Sequence, residues 1–178
     1  MNIFVAGVHG VGKTYLASRL PKSLGLTHTS ASRLIKEERA TPNWGTDKRV
    51  SDINANQIAL AAAVRRHNDA RTCLLLDGHF VLLDSEGILK YLEVEVFRAL
   101  NLDGVVLIEA DAPTVAARIR IRDQREVDLA HIVEFIAAER GQAQVVCDEL
   151  GISLVILESP SVDAFAEAIA KIAPKSER

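Results

Sequence analysis

The chain has 178 residues, of which 48% are hydrophobic and 25% are charged, a balance typical of one soluble globular domain. Its formal net charge of −3 argues against a general affinity for nucleic acid or for anionic membranes. No apolar stretch approaches the roughly 20 residues that a membrane-spanning helix needs, and the first residues carry neither a basic region nor a cleavable apolar segment. We therefore expect a cytoplasmic protein with a single domain over residues 1–178 and a local anion site.

Short apolar strands alternate with helical patterns along the chain. In chain order the sequence predicts a strand over 2–6, a helix over 12–24, a strand over 26–29, a helix over 30–39, a loop over 41–46, a helix from Asp52 to 68, a strand over 72–76, a helix over 89–100, a strand over 104–109, helices over 113–122 and 128–150, a strand over 153–157 and a helix over 162–172. Such alternation predicts an α/β three-layer sandwich, with a doubly wound, five-stranded parallel sheet and helices on both faces. Ligands of such sheets bind beyond the carboxyl ends of the strands.

The segment after the first strand has the pattern of a phosphate loop. It reads GVHGVGKT from Gly7 to Thr14 and fits G-x-x-x-x-G-K-[ST] at every fixed position. In such a loop the backbone N–H groups surround phosphate oxygens, Lys13 reaches the β- and γ-phosphates, and the Thr14 hydroxyl binds Mg²⁺. The predicted cofactors are therefore ATP and Mg²⁺. The residues predicted to contact ATP here are Gly7, His9, Gly10, Val11, Gly12, Lys13, Thr14 and Tyr15, with His9 positioning the backbone.

An acidic residue ends the third predicted strand. Asp77 follows the apolar run Thr72–Leu76, and this arrangement places a carboxylate beside the metal of a phosphate loop. We expect Asp77 to bind Mg²⁺ together with Thr14, directly or through water. His79 follows two residues later and is predicted either to orient a water molecule or a phosphate, or to be a structural histidine at the strand end.

Three arginines, Arg118, Arg122 and Arg125, are spaced four and three residues apart, so they share one face while a helix lasts. Guanidinium groups clustered in this way suit a bound anion. Residues 118–130 are therefore predicted to form a short lid, from which Arg118 and Arg122 contact ATP and stabilise the transferring phosphoryl group. An ordinary solvated helix face is the alternative interpretation.

Polar and cationic residues are also concentrated between the second and third predicted strands. The mixture of cations, hydroxyls and amides suits a phosphate together with the edge of a base. Residues 30–69 are predicted to form the acceptor region, although polar surface explains the pattern equally well. The predicted substrate-binding residues are Ser32, Arg33, Lys36, Arg49 and Asn56.

Taken together, these residues resemble the compact adenylate kinases of the archaeal type and the small adenylate kinase of eukaryotic nuclei. The resemblance extends from residue 2 to about residue 157. It implies that Asp77 governs Mg²⁺, that His79 takes part in the phosphate chemistry, that the arginine segment is a short lid and that residues 30–69 bind a monophosphate. The parts that carry it are the loop 7–14, the segment 47–52 leading to Asn56-Gln57, the element Asp77-Gly78-His79, and Arg118-Ile119-x-x-Arg122-Asp123.

The chain departs from these kinases on the acceptor side. The G-D-L-L-R run of typical adenylate kinases appears here as SASRLIK over 30–36, and the D-G-F-P-R run as DGHFV over 77–81, without its arginine. The segment 80–100 does not match the compact kinases closely.

The sequence predicts a nucleoside monophosphate kinase that transfers the ATP γ-phosphate to a small-molecule nucleotide acceptor, for which the resemblance implies AMP first. The predicted catalytic residues are Lys13, Asp77, His79, Arg118 and Arg122. One alternative is a kinase for another small molecule or for a nucleic-acid end. The other is an ATPase switch acting on a macromolecular partner, which the resemblance supports because the nuclear type is linked to ribosome assembly. Nucleic acid is otherwise not an expected partner, and oligomeric state cannot be read from the sequence.

Overall fold

A computed structural model of the chain describes residues 1–40, 53–84, 86–124 and 126–172. The predicted loop 41–46, the helix start at Asp52, the acceptor residue Arg49 and the third lid arginine, Arg125, lie outside the described residues. The described elements are β1 (Asn2–Ala6), α1 (Lys13–Ala17), β2 (Leu26–Ser30), α2 (Ala31–Arg39), α3 (Ile53–Asp69), β3 (Cys73–Asp77), β4 (Val81–Leu83), β5 (Leu89–Tyr91), α4 (Val94–Arg98), β6 (Gly104–Glu109), α5 (Ala112–Asp123), α6 (Leu129–Leu150), β7 (Ser153–Glu158) and α7 (Val162–Ile172).

The main sheet has five strands in the order β2-β3-β1-β6-β7, and all four neighbouring pairs are parallel. Every residue of β1 and of β6 is buried, as expected for strands covered on both faces. The expected doubly wound α/β sheet is therefore confirmed. The chain leaves β1 between its neighbours β3 and β6, so the switch point of the topology lies at the carboxyl end of β1, where the glycine loop begins.

The first helix is shorter than the sequence predicts. Instead of a helix over 12–24, α1 ends at Ala17, and a separate 3₁₀ turn covers Lys22–Leu24. Pro21, which precedes this turn, has no N–H group to donate to the carbonyl of Ala17, so the α-helical hydrogen-bond pattern cannot continue across it. Gly25, at φ 66°, then ends the turn and leads into β2.

A second difference lies between β3 and β6. The sequence predicts a helix over 89–100, but β5 pairs antiparallel with β4 as a hairpin, and only Val94–Arg98 is helical. The Asp84 carboxylate accepts hydrogen bonds from the backbone N–H groups of Glu86 and Ile88, both at 2.9 Å. These bonds stabilise the turn between the two strands, because an Asp side chain can take the place of a backbone acceptor in a turn.

The longest helix among the described residues is α6. Asp128 caps its first turn by accepting from the Ala130 N–H at 3.0 Å, and Gly151 ends it at φ 66°. The helix packs against α4, α5, β6, β7 and the hairpin. No helix in the described part of the chain is long and apolar enough to cross a membrane.

Candidate active site

The glycine loop connects β1 to α1 at the centre of the sheet. Gly7 has φ 137°, and a Cβ atom added there would lie 2.2 Å from the Ile108 carbonyl oxygen of β6. Only glycine allows this close approach, so the loop packs tightly on the sheet. Gly12, at φ 104°, is the N-cap of α1, and the backbone N–H groups at the start of this helix point away from it toward the loop.

Lys13 lies inside the loop with only 7% of its surface exposed. Its Nζ donates to the Gly7 carbonyl, and to the Val8 carbonyl at 3.4 Å. Burial lowers the pKa of Lys13 to about 8, and the nearby carboxylates of Asp77 and Glu139 oppose that shift. The ammonium group is therefore held among carbonyl oxygens, in a position from which it can neutralise an anion bound in the loop.

Asp77, at the end of β3, contacts the loop directly. The Thr14 hydroxyl donates to Asp77 Oδ2 at 3.1 Å, and Nε2 of His28, on β2, lies 3.5 Å from the same oxygen. Burial alone would raise the pKa of Asp77, but His28, Lys13 and the Thr14 hydroxyl outweigh it, so the pKa lies below its usual value. The carboxylate is therefore ionised at neutral pH. Asp77 and Thr14 together present two hard oxygen ligands at the end of the loop.

His79 lines the same cavity as Asp77 and is uncharged at neutral pH. Its ring centroid is 4.4 Å from that of His9, and its Nδ1 lies 3.8 Å from Glu139 Oε1 without a hydrogen-bond partner. Burial lowers the pKa of His79 well below 6.5, and the charges of Lys13 and His9 lower it further. A neutral ring here can accept or donate a hydrogen bond, but it does not supply positive charge to a phosphate.

Glu139 of α6 is a buried carboxylate, 1% exposed. Its Oε1 accepts from the Gly7 N–H at 3.2 Å, and its two oxygens accept from the N–H groups of Phe80, at 3.0 Å, and Val81, at 2.8 Å. Burial raises the pKa of Glu139, while these N–H groups and Lys13 oppose the shift. One side chain therefore joins the start of the glycine loop to the segment that follows Asp77.

The helix α5 brings two of the predicted lid arginines to the loop. Arg118 Nη1 donates to the carbonyls of Gly10 and Val11, both at 3.1 Å. Arg122 forms a two-point ion pair with Asp123, at 2.7 and 2.8 Å. Both arginines face the same cavity as Lys13, as their helical spacing predicts.

A cavity of about 710 Å³ opens beside the loop. It is lined by Phe4, Val8, His9, Gly10, Gly12, Lys13, Thr14, Tyr15, Ser30, Ala31, Ser32, Ile35, Gln57, Leu60, Asp77, Gly78, His79, Leu82, Leu92, Val96, Phe97, Leu100, Arg118 and Arg122. The loop, Asp77, His79 and both arginines therefore meet at one chamber, whose remaining lining is mostly apolar.

The predicted acceptor residues are only partly at this cavity. Ser32 lines it. Arg33 instead pairs with Glu37 at 2.7 Å on the exposed face of α2, and Lys36 is exposed on the same helix. Asn56 accepts a hydrogen bond from Arg39 and does not line the cavity. Binding of substrate by these residues remains a prediction.

A second cavity, of about 350 Å³, lies behind Arg118. It is lined by Val11, Gly12, Tyr15, Leu16, Arg118, Ser159 and Pro160. Tyr15 is 57% exposed, and the Arg19 guanidinium lies 3.7 Å from the centroid of its ring. This second cavity adjoins the loop at Val11 and Gly12, and Asp77 does not line it.

Sequence reasoning missed two residues of the site. Glu139 had a signal, because it lies four residues after Phe135 and four before Ala143, on the apolar stripe of its helix. An acid on such a stripe is buried and needs partners. His28 carries no local signal of this kind, since it reaches the site through the pairing of β2 with β3.

The fold and the phosphate loop together define a P-loop protein with a kinase-like fold, an ATP-dependent phosphotransferase. The model of the family described as "AAA domain" matches residues 6–135, which is most of the chain, and the chain belongs to that family. The adenylate kinase of Methanopyrus kandleri is 29% identical over 143 residues, which is 74% of this chain and 74% of that protein.

Solved structures show the same fold at low sequence identity. The tunicamycin resistance protein of Deinococcus radiodurans has a TM-score of 0.58 and 18% identity, covering 96% of this chain and 93% of that one. A gluconokinase from Sinorhizobium meliloti 1021 has a TM-score of 0.55 and 13% identity, covering 97% and 93%. These similarities concern the fold alone, and the acceptor has to be inferred from the site itself.

Proposed function

We propose that this chain binds ATP with Mg²⁺ through the loop Gly7–Thr14 and transfers the γ-phosphate to a small molecule in the adjoining cavity. The observation that carries the proposal is that Lys13, Thr14 and Asp77 all line one chamber of about 710 Å³. A site for hydrolysis alone needs space for water, whereas this chamber has room for a whole acceptor molecule beside the phosphates.

The triphosphate lies in the loop, where backbone N–H groups and the N-terminus of α1 favour negative charge. The phosphate oxygens replace the carbonyls of Gly7 and Val8 as partners of the Lys13 ammonium. The adenine base occupies the second cavity, between Arg118 and Pro160. This position is supported because that pocket and the chamber share Gly12, Tyr15 and Arg118.

Thr14 and Asp77 fit a magnesium ion, because a hydroxyl and an ionised carboxylate 3.1 Å apart are the hard oxygen ligands that Mg²⁺ prefers. Thr14 and Asp77 would hold the ion beside the phosphates, where it would supply positive charge against the negative charge that develops during transfer. The His28 ring, on β2, lies 3.5 Å from the Asp77 carboxylate. Arg122, now paired with Asp123, is the cation that we propose moves onto the transferring phosphoryl group.

The acceptor predicted from the sequence is a nucleoside monophosphate, with AMP first. It is supported by the adenylate kinase of M. kandleri and by the position of Ser32 in the cavity. Transfer to a small molecule is the more general part of the proposal and does not depend on this choice.

The test is an assay of the purified chain with Mg·ATP and each candidate acceptor, in which products are separated and identified. We expect ADP and phosphorylated acceptor in equal amounts. Lys13→Ala is expected to abolish both, since it removes the cation at the β- and γ-phosphates; ATP affinity is expected to fall more than ADP affinity. Formation of ADP at the same rate with and without every acceptor would contradict the proposal, as would equal turnover by Lys13→Ala and the unmodified chain.

A further inference from the structure

The wall of the chamber away from the phosphate loop is apolar. Four elements that do not carry the loop contribute to it, namely α2, α3, the hairpin with the residue that follows it, and α4. Its side chains are Ile35, Leu60, Leu82, Leu92, Val96 and Leu100. We call these six residues the apolar wall. Phe4 also lines the chamber, with its ring centroid 5.6 Å from that of Phe97.

Phe4, which lines the same chamber as the apolar wall, packs against the strand end that carries Asp77. A Cβ atom added at Gly78 would lie 2.7 Å from Cζ of Phe4, so the aromatic ring packs directly against the backbone beside the carboxylate. A molecule bound against the apolar wall therefore lies next to Asp77, where the γ-phosphate of a loop-bound nucleotide ends.

Among the described residues that line the chamber, the cations are Lys13, Arg118 and Arg122, and the proposed function assigns each of them to ATP. To a second phosphate group, on a monophosphate acceptor, the rest of the described lining offers the hydroxyls of Ser30 and Ser32 but no cation. Burying such a charge without a counter-charge is costly, whereas an uncharged apolar body gains from contact with the apolar wall.

A buried amide that lines the same chamber as the apolar wall defines the acceptor further. Gln57 lines the chamber, and its Oε1 is buried without a hydrogen-bond partner. A buried acceptor atom that stays unpaired is costly, and a ligand carrying an N–H or O–H group opposite it removes that cost. The amide therefore favours a ligand with one hydrogen-bond donor on an otherwise apolar body.

We infer that the phosphate acceptor is an uncharged, mainly apolar molecule with a reactive hydroxyl group and a hydrogen-bond donor for Gln57, an inference that rests on the proposed phosphotransfer. The hydroxyl oxygen forms a bond to the γ-phosphorus, and the bond from that phosphorus to the β–γ bridging oxygen breaks. The electron pair of the broken bond leaves with ADP, and the hydroxyl proton passes to water. Asp77 and His79 line the place where hydroxyl and phosphate meet.

The experiment compares paired acceptors that differ only in the phosphate: adenosine with AMP, and uridine with UMP, with 2-phenylethanol as an apolar alcohol lacking a base. We expect phosphoryl transfer to at least one uncharged compound, with a kcat/KM more than about tenfold above that of its monophosphate. A monophosphate that equals or exceeds its nucleoside overturns the inference, and so does transfer to none of the uncharged compounds. Neither result overturns the proposed function, which is contradicted instead by ADP formation at the same rate with and without every acceptor, or by equal turnover of Lys13→Ala and the unmodified chain.

Two variants test the wall itself, with the best uncharged acceptor of that series. Val96→Lys places a cation in the apolar wall and is expected to lower kcat/KM for this acceptor at least about tenfold, while improving any transfer to the monophosphate. Val133→Lys is the matched control, because Val133 is 57% exposed on α6 and does not line the chamber. Unchanged kcat/KM in Val96→Lys overturns the inference.

Gln57→Leu removes the unpaired amide oxygen and is expected to raise the KM for that acceptor about tenfold with kcat less affected. Its control is Ile58→Leu, at a neighbouring position of α3 that is 66% exposed. An unchanged KM in Gln57→Leu contradicts the assigned hydrogen bond. It also contradicts the inference that the acceptor carries a hydrogen-bond donor for Gln57.

Discussion

At the scale of single residues, Asp77 is contacted by side chains from two other elements, the glycine loop and β2. The Thr14 hydroxyl comes from the glycine loop and the His28 ring from β2, at 3.1 and 3.5 Å from the same carboxylate oxygen. The His28 ring nitrogen makes no hydrogen bond at this distance, so the Thr14 hydroxyl supplies the direct hydrogen bond to the carboxylate. With its pKa lowered below the usual value, Asp77 is a fixed negative charge beside the phosphate loop.

Asp77→Asn keeps the shape of this side chain and removes its charge. We expect kcat to fall about 10²-fold or more, roughly 3 kcal/mol of transition-state stabilisation, because the amide is a poor ligand for Mg²⁺. The measurement is kcat at saturating Mg·ATP, accompanied by thermal unfolding to check that the fold is intact. Asp69→Asn, at the exposed end of α3, is the control, and a loss of less than about threefold in Asp77→Asn would return Asp77 to a structural role.

At the scale of elements, Glu139 shows how α6 orders the site. None of the described residues of α6 lines the chamber, yet the Glu139 carboxylate accepts hydrogen bonds from backbone N–H groups both of the loop after β1 and of the segment after β3. These loops would otherwise have buried donors without partners. The helix is predictable from its apolar period, whereas the partners of its buried acid follow only from the packing of α6 over the ends of two strands.

Glu139→Ala leaves the N–H groups of Gly7, Phe80 and Val81 without their acceptor. We expect a loss of roughly 3 kcal/mol in the free energy of unfolding, which for a domain of this size lowers Tm by about 6–12 °C. Urea titration and thermal unfolding measure it. Glu134→Ala is the control, since that side chain is 67% exposed on the same helix. Glu139→Gln, which keeps an acceptor oxygen, is expected to lie between the two; equal stability of Glu139→Ala and Glu134→Ala would contradict the assigned role.

At the scale of the whole molecule, the sequence predicts the sheet and the donor half of the site better than the acceptor half. The period of the helices and the continuous apolar strands reflect burial on both faces of the sheet, and the loop 7–14 is a local motif. The hairpin is different, because its formation depends on the Asp84 turn and on packing against α6. The roles of Arg33 and Lys36 likewise depend on which way α2 faces, which no local pattern determines.

Two histidines at the glycine loop, His79 and the more exposed His9, give the molecule a pH dependence of stability. Partial removal of each ring from water lowers its pKa below 6.5, so below that pH the unfolded chain binds more protons than the folded one. The free energy of unfolding is therefore expected to fall as the pH decreases from 7 through 6.5 toward the lowered pKa values. The raised pKa of Glu139 acts in the opposite direction, because its contribution to stability is lost as the pH rises above the usual pKa of a glutamate. Every variant compared below keeps Glu139.

The measurement is urea unfolding at several pH values between 7 and 5.5. His79→Asn is expected to weaken the dependence, because it removes the more strongly shifted ring. His131→Asn, at a surface position paired with Glu134 at 3.9 Å, is expected to leave it unchanged. The same slope in all three proteins would mean that His79 does not resist protonation.

The anchoring of two loops on the carboxylate of Glu139 has a mechanical consequence. In-line transfer requires the attacking oxygen and the γ-phosphorus to approach within about 3–3.5 Å, so independent movement of the two binding surfaces would be harmful. The glycine loop, which we propose holds ATP, and the segment that leads into the hairpin are both fixed to one helix by hydrogen bonds of 2.8–3.2 Å. A shift of α6 therefore moves the phosphate-donor site and the phosphate-acceptor site together. Thermal motion then changes their common position more than the distance between them.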